Sequence, residues 1–319
     1  MGLFDFLTET IGVDPGSQNI RIANKGKVIY DQPSVISVNK EGIVTGVGKD
    51  IKQLTDQVLI KPVNYAITDF QGFEEMLKGA IKKGMNHDSF WKPALKIFMA
   101  IPSDVSEVEK RAYRDSSEHC GAKEVYMIHQ FSAIAIGMSI LFEKKDFVLI
   151  DFSASKIDIT VFVDSIPVIF KTLRLGTSKI ISLIKNYALR AYDIKLTDSE
   201  IEQLLFDLSN NETLFEFQIH GKSIPVQSIN ELLQHYFVLA NDVVQEAVEE
   251  AKTNLSHAKV MANGIYFSGG GSANSYLRNK INLTKEYNCH ISKTAFLDCT
   301  NGIIEVMAHP EKYTYYLIY

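Results

Sequence analysis

Apolar positions recur at short spacing over residues 9 to 62 and at longer, helical spacing beyond. Ile11-Gly12-Val13-Asp14 is an apolar run closed by Asp14-Pro15-Gly16, a strong turn signal. From Asn19 to Ala23 the pattern alternates, with Ile20 and Ile22 on one face and Asn19 and Arg21 on the other. Lys25-Gly26-Lys27 turns the chain again, and Val28-Ile29-Tyr30 and Ser34-Val35-Ile36-Ser37-Val38 read as further strands. The region predicts an antiparallel meander. Helix and strand then alternate. Phe73, Met76, Leu77, Ala80 and Ile81 share one helical face in 70–83, and Leu95 to Ile101 is a buried strand stopped by Pro102. Ser106 and Glu109 make a capping box for a helix ending near Cys120 and Gly121. Val125 to Ile128 reads as a strand, and Ser132 to Leu141 as an apolar, small-residue helix.

Phe147 to Asp151 and Ile157 to Val161 give two more strands around a turn. They repeat the opening: Asp14-x-Gly16-Ser17 before Ile20-Arg21-Ile22 matches Asp151-x-Ser153-Ala154 before Ile157-Asp158-Ile159. The second aspartate follows the first by 137 residues, too far for a solenoid period but suited to a duplicated domain. Helices follow at about 177–192, 198–208 and 229–256. Ile265 to Ser268 is a strand, Gly269-Gly270-Gly271 a glycine turn, and Ser272 to Ile281 a helix.

Length sharpens this picture: 319 residues suit two domains, with enough chain to bury a core without disulfides. Three widely spaced cysteines, Cys120, Cys289 and Cys299, have no zinc-ligand spacing and read as reduced thiols. A net charge of −5, without a basic run, argues against a nucleic-acid partner. No apolar stretch is long enough to span a membrane, and the start Met1-Gly2-Leu3-Phe4-Asp5-Phe6-Leu7 lacks the form of a signal peptide. A cytoplasmic protein is expected.

The turns carry the candidate chemistry. A glycine-containing turn after a strand lets backbone amides approach phosphate, and a serine hydroxyl adds a donor. An aspartate at the strand end repels phosphate directly but can hold a hydrated Mg²⁺. A glycine turn opening a helix offers its first amides to a ligand. Asp-Pro-Gly and Gly-Gly-Gly are each common as bare turns; two repeated turns with a late glycine turn in an α/β chain raise the nucleotide reading.

The motifs resemble MreB, the bacterial actin-like rod-shape-determining family, over nearly the whole chain. Ile11 to Asn19 resembles its first phosphate loop, I-D-L-G-T-A-N, keeping Asp14, Gly16 and Asn19. Gln32-Pro33-Ser34-Val35-Ile36 resembles E-P-S-V-V. Ile101-Pro102, Val108-Glu109-Lys110-Arg111-Ala112 and Gly121-Ala122-Lys123-Glu124-Val125-Tyr126-Met127-Ile128 resemble V-P, V-E-R-R-A and G-A-R-E-V-F-L-I. Ser268-Gly269-Gly270-Gly271 resembles T-G-G-G of the adenosine site.

The resemblance implies an α/β, actin-like (ribonuclease H-like, duplicated) fold around a nucleotide cleft. Domain I would span 1–146 with 31–65 as a small inserted sub-domain, domain II 147–299 with 181–236 inserted, and 300–319 would return to domain I. Asp14 and Asp151 would face each other across the cleft. It implies ATP or ADP with Mg²⁺. The contacts would be Asp14, Gly16, Ser17, Gln18 and Asn19; Asp151, Ser153, Ser155 and Lys156; Gly176; Asp207; and Gly269, Gly270 and Gly271. Asp14 and Asp151 would hold the metal through water. It also implies double protofilaments, a peripheral place on the inner face of the cell membrane, and cell-wall elongation proteins as partners. Asp88-Ser89-Phe90-Trp91-Lys92-Pro93 resembles the family's membrane-insertion loop, so Phe90 and Trp91 join the apolar Leu3, Phe4, Phe6 and Leu7 as membrane anchors. Core packing is the competing reading of these six.

Departures from the family bear on activity. Its I-E-E-P, which carries the carboxylate that activates water, is Ile128-His129-Gln130-Phe131 here. Its D-I-G-G-G-T-T-E is Asp151-Phe152-Ser153-Ala154-Ser155-Lys156-Ile157-Asp158, without glycine. Its G-G-D is Gly176-Thr177-Ser178, and its ribose-contacting lysine and glutamate fall on Leu205 and Asp207. Lys156 either offers its charge to phosphates or sits in solvent. The reading is a filament protein with ATP as a conformational ligand and degraded hydrolysis. A nucleotide-independent adaptor for a cell-wall or division complex and a kinase-like phosphotransferase are the alternatives.

Overall fold

The computed structural model describes residues 8–51, 57–85, 94–211, 213–254, 263–281 and 287–319. The chain divides into two units, Met1–Leu141 with Leu297–Tyr319, and Phe142–Phe296. The first contributes β1 (Thr8–Pro15), β2 (Asn19–Asn24), β3 (Lys27–Pro33), β4 (Ile36–Val38), β5 (Val44–Val47), β6 (Val58–Ile60), β7 (Val63–Asn64), β8 (Ala66–Ile67), α1 (Phe70–Gly84), β9 (Ala94–Ile101), α2 (Glu107–His119), β10 (Ala122–His129) and α3 (Gln130–Gly137). After α4 (Leu141–Lys144), the second contributes β11 (Phe147–Phe152), β12 (Ile157–Val163), β13 (Ile166–Leu173), α5 (Thr177–Tyr192), α6 (Asp198–Asn210), β14 (Glu216–Ile219), β15 (Lys222–Pro225) and α7 (Val226–Asn254). It continues with β16 (Ile265–Ser268), α8 (Gly270–Ala273), α9 (Ser275–Arg278) and β17 (Cys289–Ile291). The chain returns to the first unit with α10 (Asp298–Ala308) and β18 (Leu317–Ile318).

In the first unit a six-stranded sheet runs β18-β10-β9-β1-β2-β3. β1, β9 and β10 are parallel, while β1, β2 and β3 form the antiparallel meander predicted from the alternation. Ile97 to Ile101 are all buried, as expected of a parallel strand covered on both faces. The apolar face of α1 is buried through Phe73, Met76, Leu77, Ala80 and Ile81, and the Phe73 ring meets Tyr113 of α2 edge-on at 5.5 Å. The Ser106–Glu109 capping box forms with both reciprocal bonds. Helices α3 and α10 cross backbone to backbone. A Cβ on Gly302 would lie 1.8 Å from the Ala133 carbonyl oxygen, so only glycine permits this approach.

In the second unit a five-stranded sheet runs β13-β12-β11-β16-β17. β11, β16 and β17 are parallel and β11, β12 and β13 antiparallel, the same arrangement as β3-β2-β1-β9-β10. The duplication read from the two aspartate turns is thus a duplication of sheet topology. Val148, Ile150, Ile157 and Ile159 pack with Ile180 and Ile184 of α5, Leu204 of α6 and Leu233 of α7 in one core.

Two helices are shorter than predicted. Residues 132–141 do not form one helix: α3 stops at Gly137, and Ser139 takes a left-handed φ of 60°. Residues 272–281 are broken at Asn274, whose extended backbone leaves α8 while its side chain caps α9 at Leu277 N, 3.0 Å. No helix among the described residues is long and apolar enough to cross a membrane. Leu3, Phe4, Phe6, Leu7, Phe90 and Trp91 lie outside the described residues.

Candidate functional site

The turn after β1 is held open from beneath. Asp14 pairs across the hairpin with Arg21, and its buried carboxylate accepts a 2.7 Å bond from the Thr300 hydroxyl of α10. The Arg21 guanidinium lies 3.8 Å from the same oxygen, Asp14 Oδ2, and 3.2 Å from Asp31. Asn19 Nδ2 donates to Asp31 at 2.5 Å. Ser34 reaches under the turn, its N–H on the Gln18 carbonyl at 2.9 Å and its hydroxyl on the Gly16 carbonyl at 2.5 Å. The Gly16 and Gln18 carbonyls are thereby spent on the protein. The N–H groups of Gly16, Ser17 and Gln18 make no hydrogen bond within the described residues. This arrangement suits an anion.

The equivalent turn after β11 is closed on itself. The Ser153 N–H and hydroxyl both donate to the Lys156 carbonyl, at 2.9 and 3.1 Å. Thr177 N–H and Ser178 N–H, the first amides of α5, donate to the Ser153 and Ala154 carbonyls at 3.1 and 2.9 Å. Gly176 sits against this turn, and the helix start that could receive an anion is capped by it. Of the two readings of Lys156, charge to phosphates or solvent, the second is corrected: it is 3% exposed, and its ammonium pairs with the equally buried Asp158. Asp158 also accepts from the Thr172 hydroxyl at 2.8 Å. Ser155 stays half-buried at the turn.

Asp151 closes β11 opposite Ser268 of β16, bringing it to the glycine turn. Gly269 has φ +82°, and a Cβ there would meet Asp151 Oδ1 at 2.4 Å, so this position requires glycine on two counts. The ring of Phe296 lies 2.7 Å from where a Gly270 Cβ would be, and the ring of Phe152 packs against Gly271 in the same way. Phe296 remains 62% exposed, so one face of a glycine-backed aromatic ring is open to a ligand. The ribose positions fare differently: Leu205 is buried in the core, while half-buried Asp207 accepts from Gln203 Nε2 at 2.8 Å.

His129 and Gln130 stand at the junction of β10 and α3. His129 Nδ1 lies 3.3 Å from the Pro102 carbonyl, and its ring stacks on Phe131 at 5.3 Å. The Gln130 amide oxygen is buried and accepts no hydrogen bond among the described residues. Neither residue brings a carboxylate to this place. No group of three or more His, Cys, Asp or Glu side chains that could hold a metal exists among the described residues. A hydrated Mg²⁺ needs only one or two carboxylates. Asp14 Oδ2 takes Thr300 and Arg21 and leaves Oδ1 for such an ion. Arg21, Asp31, Thr300 and Phe296 were not picked out by motif. The alternation that put Arg21 beside Asn19 carried a signal for the first pair, whereas Thr300 reaches the first turn, and Phe296 the glycine turn, only through the fold.

The two sheets of like topology, each with a strand-end aspartate and a turn, define an actin-like protein. MreB 5 of Spiroplasma citri bound to AMPPNP superposes with a TM-score of 0.84 at 21% identity, covering 97% of this chain and 98% of that one. The MamK double helical filament gives 0.73 at 15% identity, covering 95% and 99%. The family model for MreB/Mbl protein matches residues 8–314, and the chain belongs to that family. The cell shape-determining protein MreB of Escherichia coli (strain K12) is 25% identical over 306 residues, 86% of each chain.

Proposed function

We propose that this chain is a cytoskeletal filament protein that binds ATP as a conformational ligand, hydrolyses it poorly, and scaffolds cell-wall synthesis and cell shape. The contrast between the two turns carries this reading. The first keeps unspent amides beside the Asp14 carboxylate; the second spends Ser153 on itself, caps α5 and buries Lys156 against Asp158. Family membership and the relatives support it: one is named for cell shape, one is bound to AMPPNP, and one forms a double helical filament.

In this reading Gly16, Ser17, Gln18 and Asn19 receive phosphate oxygens. Asp14 and Asp151 hold Mg²⁺ through water, and the ion neutralises phosphate charge. Gly269, Gly270 and Gly271 take the adenosine, with Asp207 and Gly176 at its edges and Ser155 offering a hydroxyl, while the Ser153 hydroxyl stays on the Lys156 carbonyl. Lys156 is held by its pair to Asp158. The domains divide into the four sub-domains given above. At position 130 an amide can orient a water but cannot take its proton. Self-assembly into double protofilaments would multiply weak membrane contacts of Leu3, Phe4, Phe6, Leu7, Phe90 and Trp91 on the inner membrane face, beside cell-wall elongation proteins.

The closed second turn also favours a second reading, a nucleotide-independent adaptor in a cell-wall or division complex. Titration calorimetry of the full chain with ATP and Mg²⁺ separates the two. Saturable binding that Asp14→Asn weakens supports the first, and an absence of binding up to millimolar ATP leaves the adaptor.

A further inference from the structure

The second unit contains a cavity of about 270 Å³ that the proposed nucleotide contacts do not line. Its apolar wall is Leu208 of α6, Leu214, Val226 at the start of α7, and the Tyr276 ring on α9. Its polar side is Asn211, Asn230, Ser275, Asn279 and Lys280, with no aspartate or glutamate among the described residues that line it. The volume stands at the small end of ligand pockets, which run from about 300 to 1,000 Å³. It fits a compact metabolite and is too small for a nucleotide.

The polar side is built to donate. Lys280 Nζ donates to Asn230 Oδ1 at 2.7 Å, and the Tyr276 hydroxyl donates to the same oxygen at 2.9 Å. With its acceptor used twice, Asn230 has two amide hydrogens to offer. The Lys280 ammonium also sits 4.6 Å over the Tyr276 ring centroid, a fixed position for a flexible side chain. It forms no ion pair among the described residues, and burial pushes its pKa down. A partly desolvated cation with no counter-ion among the described residues, set beside amide donors, is stabilised by an incoming anion.

We infer that this cavity binds a small amphipathic anion, its carboxylate or phosphate head on Lys280 and Asn230 and its short apolar body against Leu208, Leu214 and Tyr276. The inference is independent of ATP binding, since it uses none of the turns assigned above. The head group supplies the negative charge, and the apolar wall selects a few carbons of body over a bare ion.

The test uses the full chain and four probes with one body: hexanoate, hexyl phosphate, hexan-1-ol and hexylammonium. Binding is followed by ligand-observed NMR and by calorimetry. Saturable binding of one or both anions is expected, and their order tells a carboxylate site from a phosphate site. The alcohol and the amine should bind at least about tenfold more weakly. Lys280→Met, which keeps the stem and removes the charge, should lower anion affinity about tenfold and leave the alcohol unchanged. If that variant fails to fold, Asn230→Asp carries the test: a carboxylate set beside the ammonium should weaken anion binding likewise. No saturable anion binding by the wild type, or equal anion binding after either substitution, overturns the proposal.

Discussion

The Thr300 hydroxyl donates to Asp14 Oδ2 at 2.7 Å, fastening helix α10 to the end of strand β1 across 286 positions of sequence. Both residues are buried, Asp14 at 4% and Thr300 at 1% exposure. The close Gly302–Ala133 crossing holds α10 in place, and Thr300 in turn fixes which oxygen of Asp14 is committed. The carboxylate at the first turn is therefore oriented by the C-terminal return of the chain.

Removing that donor leaves a buried carboxylate oxygen short of a partner. Thr300→Val should destabilise the chain by about 1–3 kcal/mol in urea unfolding, and Thr300→Ser should recover most of it. Under the proposed function, Thr300→Val also weakens Mg-ATP binding, because the freed carboxylate can rotate.

The Lys156–Asp158 pair is buried on both sides. Lys156→Met would strand the Asp158 carboxylate with only the Thr172 hydroxyl, at a cost of about 3–5 kcal/mol. The double substitution Lys156→Met with Asp158→Leu should be far milder, because no buried charge remains. Urea midpoints of the three variants check the order.

Phe296 offers an exposed ring backed by Gly270. A base stacked there would contribute about 1–3 kcal/mol. Phe296→Ala should therefore lower ATP affinity by about one to two orders of magnitude while leaving tripolyphosphate binding and the melting temperature nearly unchanged. Equal ATP affinity in the two proteins would remove Phe296 from the site.

Glu200 caps α6, and the Thr197 backbone N–H, His220 and the Thr197 hydroxyl together hold its carboxyl down from 4.5 to about 2. A lowered carboxylate contributes stability above its unfolded pKa and loses it as pH falls through the folded one. Wild type should thus lose this contribution between about pH 4.5 and 2. Glu200→Gln should flatten that part of the stability–pH curve and leave its neutral arm parallel to wild type.

Much of the fold was legible because periodicity and capping agree locally. The face of α1, the Ser106–Glu109 box and the span of α5 follow from side chains a few positions apart. The repeat of Asp14 and Asp151 foretold the twin sheets. What the chain hid is tertiary. Strand β13 follows a turn in which Asp164 and Ser165 both take positive φ, a conformation that neither residue type announces. Asn274 breaks a helix-like pattern because its side chain is better used as a cap. The turn at Asp14 and Gly16 and the glycine turn stand out by motif, whereas the Thr300 bond, the Phe296 ring and the burial of Lys156 depend on contacts between distant segments. A lysine in a turn reads as solvated until its partner Asp158 is placed beside it.

Under the proposed function, ATP is held but scarcely cleaved. The most direct measurement is phosphate release by the full chain under sedimenting conditions with Mg-ATP, run beside Escherichia coli MreB. Pelleting with ATP and AMPPNP alike is expected, with release at least about a hundredfold below that of the relative, the scale of one lost transition-state donor. Release at the relative's rate, abolished by Gln130→Ala or His129→Ala, would contradict that reading and assign the activation of the attacking water to that residue.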